Sequence, residues 1–251
     1  MQKFIYTLIA LALSIQVFAQ TSSNPIQEAN DLYQKGEYEE AIKSYESVLE
    51  TRIEAPEIYF NLANAYYKSG QIAPSILNYE RALLLSPDDE DIKYNLELAQ
   101  KNVTDKLEIL PEFFVSKWVS GLWNSFSANV WSYISIGFFL IFLALISLYL
   151  YSKQSRIKKL GFFLSILCLL SSLVSYNFAS RMNKQLTLRE YAIIFNPSVT
   201  VKGSPDESGS QLFLLHEGTK VKVIEELGDW CNIKISDGNQ GWLKKDDIEI
   251  I

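Results

Sequence analysis

Apolar and polar residues follow three different rhythms along this chain, and the middle stretch has no polar beat at all. Residues 130–151 (VWSYISIGFFLIFLALISLYLY) and 160–179 (LGFFLSILCLLSSLVSYNFA) contain no charged residue. A helix crossing the hydrocarbon core of a bilayer needs ~20 apolar residues, so each run predicts a transmembrane helix. The competing assignment is a pair of buried core helices in a soluble protein, which rarely run so long without a charge. Between the runs lies 152–159, SKQSRIKK, with Lys153, Arg156, Lys158 and Lys159. Short basic loops stay on the cytoplasmic side, which sets both flanking regions on the opposite face.

The N-terminus agrees with that topology. Lys3 precedes an apolar stretch over 4–15, and Val17-Phe18-Ala19 precedes Gln20. This is the form of a secretory signal peptide over 1–19, cleaved after Ala19. An uncleaved segment would leave the same regions outside. A bacterial inner membrane with both terminal domains on the periplasmic side follows as the expectation.

Before the first run, apolar positions recur with a helical period, and the pattern repeats every 34 residues. Ala29 falls on Ala63, Asn30 on Asn64, Tyr33 on Tyr67, Gly36 on Gly70 and Tyr45 on Tyr79. One further shift sets Asn61-Leu62 on Asn95-Leu96. The period and the small–large alternation resemble the tetratricopeptide repeat, a helix–turn–helix unit. About two and a half repeats fit into 20–110, the half-repeat covering the exposed end of the stack. The resemblance implies an inner face that takes an extended peptide, made here of Ile26, Asn30, Tyr33, Phe60, Asn64, Tyr67, Tyr94 and Leu98. Ile26, Asp91 and Asn95 stand where one branch of that family grips a terminal carboxylate with Lys and Arg, so that clamp is absent. The same aromatics could equally be repeat packing.

Residues 111–129 change character again. Val115, Trp118, Val119, Leu122 and Phe126 lie on one helical face, and Trp118, Trp123 and Trp131 cluster before the first apolar run. Tryptophan favours the headgroup level of a membrane, so an interfacial helix is expected, with a partner-binding helix as the alternative.

After a linker over 180–190, the period becomes two. Val221 and Val223 alternate with lysines, Cys231, Ile233 and Ile235 alternate with polar residues, and Asp237-Gly238 signals a hairpin. VTVKGSPDESG, HEGTKVKVIEELGDWCNI and DGNQGWL resemble the bacterial SH3 family over 191–251. That resemblance implies a small barrel in which Trp230 and Trp242 are partly structural. It also implies a shallow surface of Tyr191, Phe213 and Trp230 that takes a peptide or a cell-wall stem. The fold class is thus a multi-domain membrane protein: an α-helical tetratricopeptide solenoid, a two-helix transmembrane hairpin and a small all-β SH3-like barrel.

Charge narrows the partners. Residues 20–110 carry 17 carboxylates against 8 cations, and residues 187–251 carry 11 against 7. Acidic outer domains argue against nucleic acid and against general electrostatic binding to anionic lipid. The two cysteines, Cys168 within the second apolar run and Cys231 in the C-terminal domain, are too differently placed for an intrachain disulfide. No phosphate-binding glycine loop, hydrolase-like Cys/His pair or metal-spaced cluster is present. Neither catalysis nor a cofactor nor a metal is therefore expected. The acidic run 88–91 reads as a helix start, and His216, the only histidine, as structural or exposed.

The order of these modules resembles the repeat-and-SH3 component of bacterial aerotolerance (Bat) operons. It implies a scaffold in an envelope complex linked to oxygen or stress tolerance. Its partners would be membrane proteins with von Willebrand factor A domains and a MoxR-type ATPase. The alternative is a cell-wall anchor whose barrel binds peptidoglycan.

Overall fold

The computed structural model describes residues 25–106, 119, 121–122 and 125–251. The expected signal peptide, Trp118 and Trp123 lie outside the described residues. The chain divides into two units, Met1–Ile53 and Glu54–Ile251.

In the first unit, helix α1 (Pro25–Lys35) and helix α2 (Tyr38–Glu50) form an antiparallel pair. Ala29 and Ala41 are fully buried, so the backbones approach closely, and Tyr45 and Val48 fill the remaining space. Gly36, at φ +81°, ends α1. Its N–H bonds Tyr33 O at 3.0 Å, and the Glu37 N–H bonds Leu32 O at 3.0 Å. This is the glycine C-cap that satisfies the last carbonyls of a helix.

The second unit repeats the design with α3 (Pro56–Lys68) and α4 (Ile72–Leu85), turned by Gly70 at φ +82°. Ser75 sits where the repeat normally has alanine, and it stays buried by donating Oγ to Ala63 O at 2.9 Å. Helix α5 (Glu90–Gln100) is the half-repeat. The acidic run does cap it: Asp89 Oδ1 accepts the N–H groups of Asp91 and Ile92 at 3.0 and 3.1 Å.

Helices α6 (Ala128–Tyr151) and α7 (Ser155–Leu188) form an antiparallel hairpin, both long and apolar enough to cross a membrane. Helix α7 starts earlier than the apolar run, so only 152–154 form the turn. Arg156, Lys158 and Lys159 ride on its first turns, exposed like Lys153. It also runs through most of the segment expected as a linker over 180–190. The buried face of α7 is small: Gly161, Ser165, Ser172, Ser175 and Ala179, followed by Met182. These fall at alternating steps of four and three, with Cys168 between, the spacing of a seam between two helices. Ser135 and Ser172 lock its centre reciprocally, each Oγ donating to the other's carbonyl at 3.0 and 2.9 Å. Outside the seam, Ile136, Phe139, Leu140, Phe163, Leu167 and Leu173 are exposed. Among the described residues nothing covers them, unlike the core helices of a soluble fold.

The C-terminal domain is a seven-stranded antiparallel sheet in the order β3-β2-β6-β5-β4-β1-β7. The strands are β1 (Tyr191–Ile194), β2 (Ser198–Lys202), β3 (Gln211–His216), β4 (Lys220–Leu227), β5 (Trp230–Lys234), β6 (Gln240–Lys244) and β7 (Ile248–Ile250). The alternating residues point inward as the period predicts. Val201, Leu215, Val221, Cys231, Ile233 and Leu243 make the core. The helical repeats, the apolar helix pair and the all-β domain are the layout expected from the sequence.

Candidate functional site

Two residues of the expected peptide-binding face have internal duties. Tyr45 Oη donates to Asn30 Oδ1 at 2.5 Å, and Tyr79 Oη donates to Asn64 Oδ1 at 2.5 Å. Both tyrosines are 1% exposed, and a buried hydroxyl needs a partner. The 34-residue period thus carries one structural hydrogen bond into each repeat. Asn30 and Asn64 hold the two helices of a repeat together, whatever else their amides do.

The other positions differ in exposure. Tyr33 stacks edge-on against Tyr38 with centroids 5.4 Å apart, and burial followed by the neighbouring Tyr38 hydroxyl pushes its pKa up. Phe60 packs on Tyr79 at 5.9 Å. Ile26, Tyr67 and Leu98 are half-buried, while Tyr94 is 67% exposed on the half-repeat. Tyr94 is thus the most exposed of these aromatic rings.

On the barrel, Tyr191, Phe213 and Trp230 do not form one aromatic face among the described residues. Phe213 packs on the core cluster. Tyr191 lies under Lys220 and Lys222, at 4.9 and 5.9 Å from its centroid. Trp230 lies under a different pair, Lys202 and Lys244, at 5.3 and 5.9 Å. Strands β5 and β1 are separated by β4, which keeps the two rings on separate patches. Glu207 bridges the Trp230 pair, 3.1 Å from Lys202 and 2.5 Å from Lys244. Hydrogen bonds from Lys244 and then Lys202 hold its carboxyl below the usual range.

Trp131 also differs from its expected role. It is 7% exposed and packs edge-on against Phe126 and Phe178, at 5.4 and 5.0 Å. Its position on the inner face of α6 makes it a packing residue of the hairpin rather than a ring turned to the headgroups.

Sequence reasoning missed the docking of the barrel on the second repeat. Asp105, just beyond α5, accepts three hydrogen bonds from the turn between β3 and β4. The donors are the His216 N–H and the Thr219 hydroxyl on Oδ2, with the His216 ring on Oδ1, all at 2.7 Å. Gly218 in the same turn, at φ +82°, lies so close that a Cβ there would meet Val103 at 3.0 Å and Ile76 at 3.3 Å. Glu80 on α4, 8% exposed, pairs with Lys220 at 2.6 Å. Arg81 Nη2 donates to Ile250 O at 2.6 Å and so covers the β7 edge of the sheet. None of these pairings has a local sequence signature; each side chain alone reads as solvated surface.

Partial burial acts to raise the Asp105 pKa, but the His216 and Thr219 hydrogen bonds outweigh it and hold the carboxyl below its ordinary value. Burial followed by Glu226 pushes the Cys231 thiol up, as suits an inert core thiol. Among the described residues no group of His, Cys, Asp and Glu is arranged to hold a metal ion.

Comparison with protein families agrees with the two outer modules. A family model described as a TPR repeat matches residues 29–70, and a second, described as the tetratricopeptide repeat, matches 56–89. A model of the bacterial SH3 domain matches 197–249. No curated protein matches the chain. Helical repeats followed by a bacterial SH3 domain suggest a protein of the interaction class.

Proposed function

We propose that this protein is a membrane-anchored, non-catalytic adaptor that presents a repeat domain and an SH3-like barrel on the outer face of a bacterial inner membrane. The observation that carries it is the common placement of the second repeat and the barrel. Helix α4 packs against β1 and against α7, at the end of the hairpin away from its basic turn. The exposed apolar surface of α6 and α7 is what lipid would cover, and the cations Lys153, Arg156, Lys158 and Lys159 support a cytoplasmic position for that turn. Membrane tethering raises the local concentration of both binding modules for other membrane proteins.

In this reading the repeat face, led by Tyr67 and Tyr94, takes an extended segment of a partner. The module order supports a Bat-type envelope complex with von Willebrand factor A-domain proteins and a MoxR-type ATPase. The test is purification of the tagged full-length protein in mild detergent, with mass spectrometry of what accompanies it. Stoichiometric recovery of such membrane proteins supports the adaptor, and a preparation free of protein partners counts against it.

A second reading rests on Trp230. Its ring is half-exposed between two lysines and belongs to a different patch from the docking turn, so the barrel keeps a surface for peptidoglycan. Co-sedimentation of the full-length protein with purified sacculi, weakened by Trp230→Ala, is the outcome this wall-anchor reading requires.

A further inference from the structure

Where the second repeat, the barrel and the upper end of α7 meet, they leave an open cleft of about 1110 Å³. Its walls include Leu83 and Leu84 of α4, Met182 and Leu188 of α7 and Tyr191 of β1, together with Gly121 and Ser125 from before α6. The charged lining has six cations (Lys93, Arg181, Lys184, Arg189, Lys220 and Lys222) against four carboxylates. This excess of positive charge contrasts with the acidic balance of both outer domains.

Several cations already have partners. Lys93 pairs with Glu90, Lys220 with Glu80, Lys222 with Glu190 and Arg189 with Glu54. Lys184 has no ion-pair partner among the described residues and is exposed at the rim. It lies one turn beyond Arg181, and both follow the uncharged run 160–179 of α7. Below them Leu170, Leu173 and Val174 are exposed on the same helix. The helix dipole favours cations only in the last turn, and α7 has no basic residue there. It therefore accounts neither for Lys184 and Arg181 nor for Lys220 and Lys222 of the barrel lining the same space. These cations also stand on the side of the membrane where short segments usually lack them.

We propose that this cleft receives the phosphate-bearing headgroup of an anionic phospholipid from the outer leaflet. Lys184 and Arg181 meet the phosphate at the rim, with Lys222 and the Tyr191 ring opposite. The acyl chains follow the exposed apolar side of α7 downward. Apolar walls beneath a cationic rim match an amphiphile. The lipid would fix the globular unit against the membrane surface. The proposal rests on the membrane-spanning reading above.

The test uses the full-length protein in nanodiscs, with either phosphatidylcholine alone or a mixture containing phosphatidylglycerol. The probe is a phosphatidylglycerol carrying a photoreactive headgroup, with cross-linked peptides mapped by mass spectrometry. Cross-links to residues 181–191 are expected, falling about tenfold in the Arg181→Gln, Lys184→Gln double variant. Lys158→Gln with Lys159→Gln, at the opposite end of the hairpin, leaves them unchanged. Equal labelling by a phosphatidylcholine probe would overturn the proposal, as would cross-links confined elsewhere. So would displacement of the lipid by millimolar inorganic phosphate, which marks a simple phosphate site. Release of the protein from membranes by carbonate would instead sink the membrane-spanning reading, independently of any lipid preference.

Discussion

Asp105 and His216 stand 111 residues apart in the chain, yet the Asp105 carboxylate takes both the backbone N–H and the ring of His216 at 2.7 Å. With Thr219 as a third donor, one side chain caps a whole turn of the barrel from outside it. A carboxylate satisfied in this way is hard to replace. Asp105→Ala leaves three donors without that acceptor and is expected to destabilise the docked arrangement by ~1–3 kcal/mol. Faster hydrogen exchange in the β3–β4 turn, with the repeat helices unchanged, is the measurement that checks it.

The same carboxylate gives the docking an acid limit. Its folded-state pKa lies below the ordinary value of 3.8. Its contribution is therefore complete above 3.8 and is lost as the pH falls through the lower folded-state value. As the pH falls below 3.8, the wild type should lose stability more steeply than Asp105→Asn, which has no carboxylate to protonate. Parallel pH dependences for the two proteins would show that Asp105 does not hold the barrel.

Within the second repeat, the bond from Tyr79 to Asn64 sets up a comparison of two substitutions. Tyr79→Phe removes one hydrogen bond and leaves Asn64 half-exposed, where water can replace the lost donor, at a cost of about 1 kcal/mol. Asn64→Ala takes the acceptor away from a buried hydroxyl and should cost more, ~1–3 kcal/mol. Thermal denaturation of the two variants orders them. Loss of partner recovery in Asn64→Ala therefore reports on folding as well as binding. Tyr67→Ala is the better probe of the groove: reduced partner recovery at unchanged melting temperature is the expected result.

These pairs show where the sequence is legible. The 34-residue period superposes Asn30 on Asn64 and Tyr45 on Tyr79, so both members of the buried bond can be found without a structure. What the period cannot say is that the asparagines face the tyrosines of their own repeat. The alternation in 221–235 likewise picks out the barrel core, because burial on one side of a strand leaves a two-residue imprint. Asp105, Glu80 and Arg81 leave none. Their partners lie 111 to 169 residues away, and a lone charge on a helix face or a helix end looks the same docked or solvated. The resemblance to the bacterial SH3 family implies one surface for Tyr191, Phe213 and Trp230. Strand order, which the sequence does not encode locally, separates them.

The helix hairpin offers a contrast between two glycines of similar sequence context. A Cβ at Gly161 would lie 3.2 Å from Leu145 O, whereas one at Gly137 meets nothing within 4 Å. Gly161→Leu should therefore force the helices apart and weaken the reciprocal Ser135–Ser172 bonds, at a cost of roughly 1–3 kcal/mol for overpacking. Gly137→Leu adds an apolar side chain on an open surface and should be neutral. Melting temperatures in one detergent check both, and equal effects would mean that the small-residue seam is not where the helices touch.

Gly218 tests whether the barrel and the second repeat act as one body. Its φ of +82° disfavours any other residue, and its neighbours Val103 and Ile76 leave no room for a side chain. Gly218→Ala combines backbone strain of about 1 kcal/mol with a clash at 3.0 Å against Val103. Gly228 provides the control: it too has a positive φ, +57°, but a Cβ there meets nothing within 4 Å. Alanine at 228 carries the strain alone. If docking matters, Gly218→Ala should release the β3–β4 turn to protease and hydrogen exchange, while Gly228→Ala lowers barrel stability without exposing that turn. A docked barrel holds its Trp230 surface at a fixed place relative to the Tyr67 face. The Gly218 variant should then bind each single-site ligand normally but lose the avidity gained from engaging both sites at once.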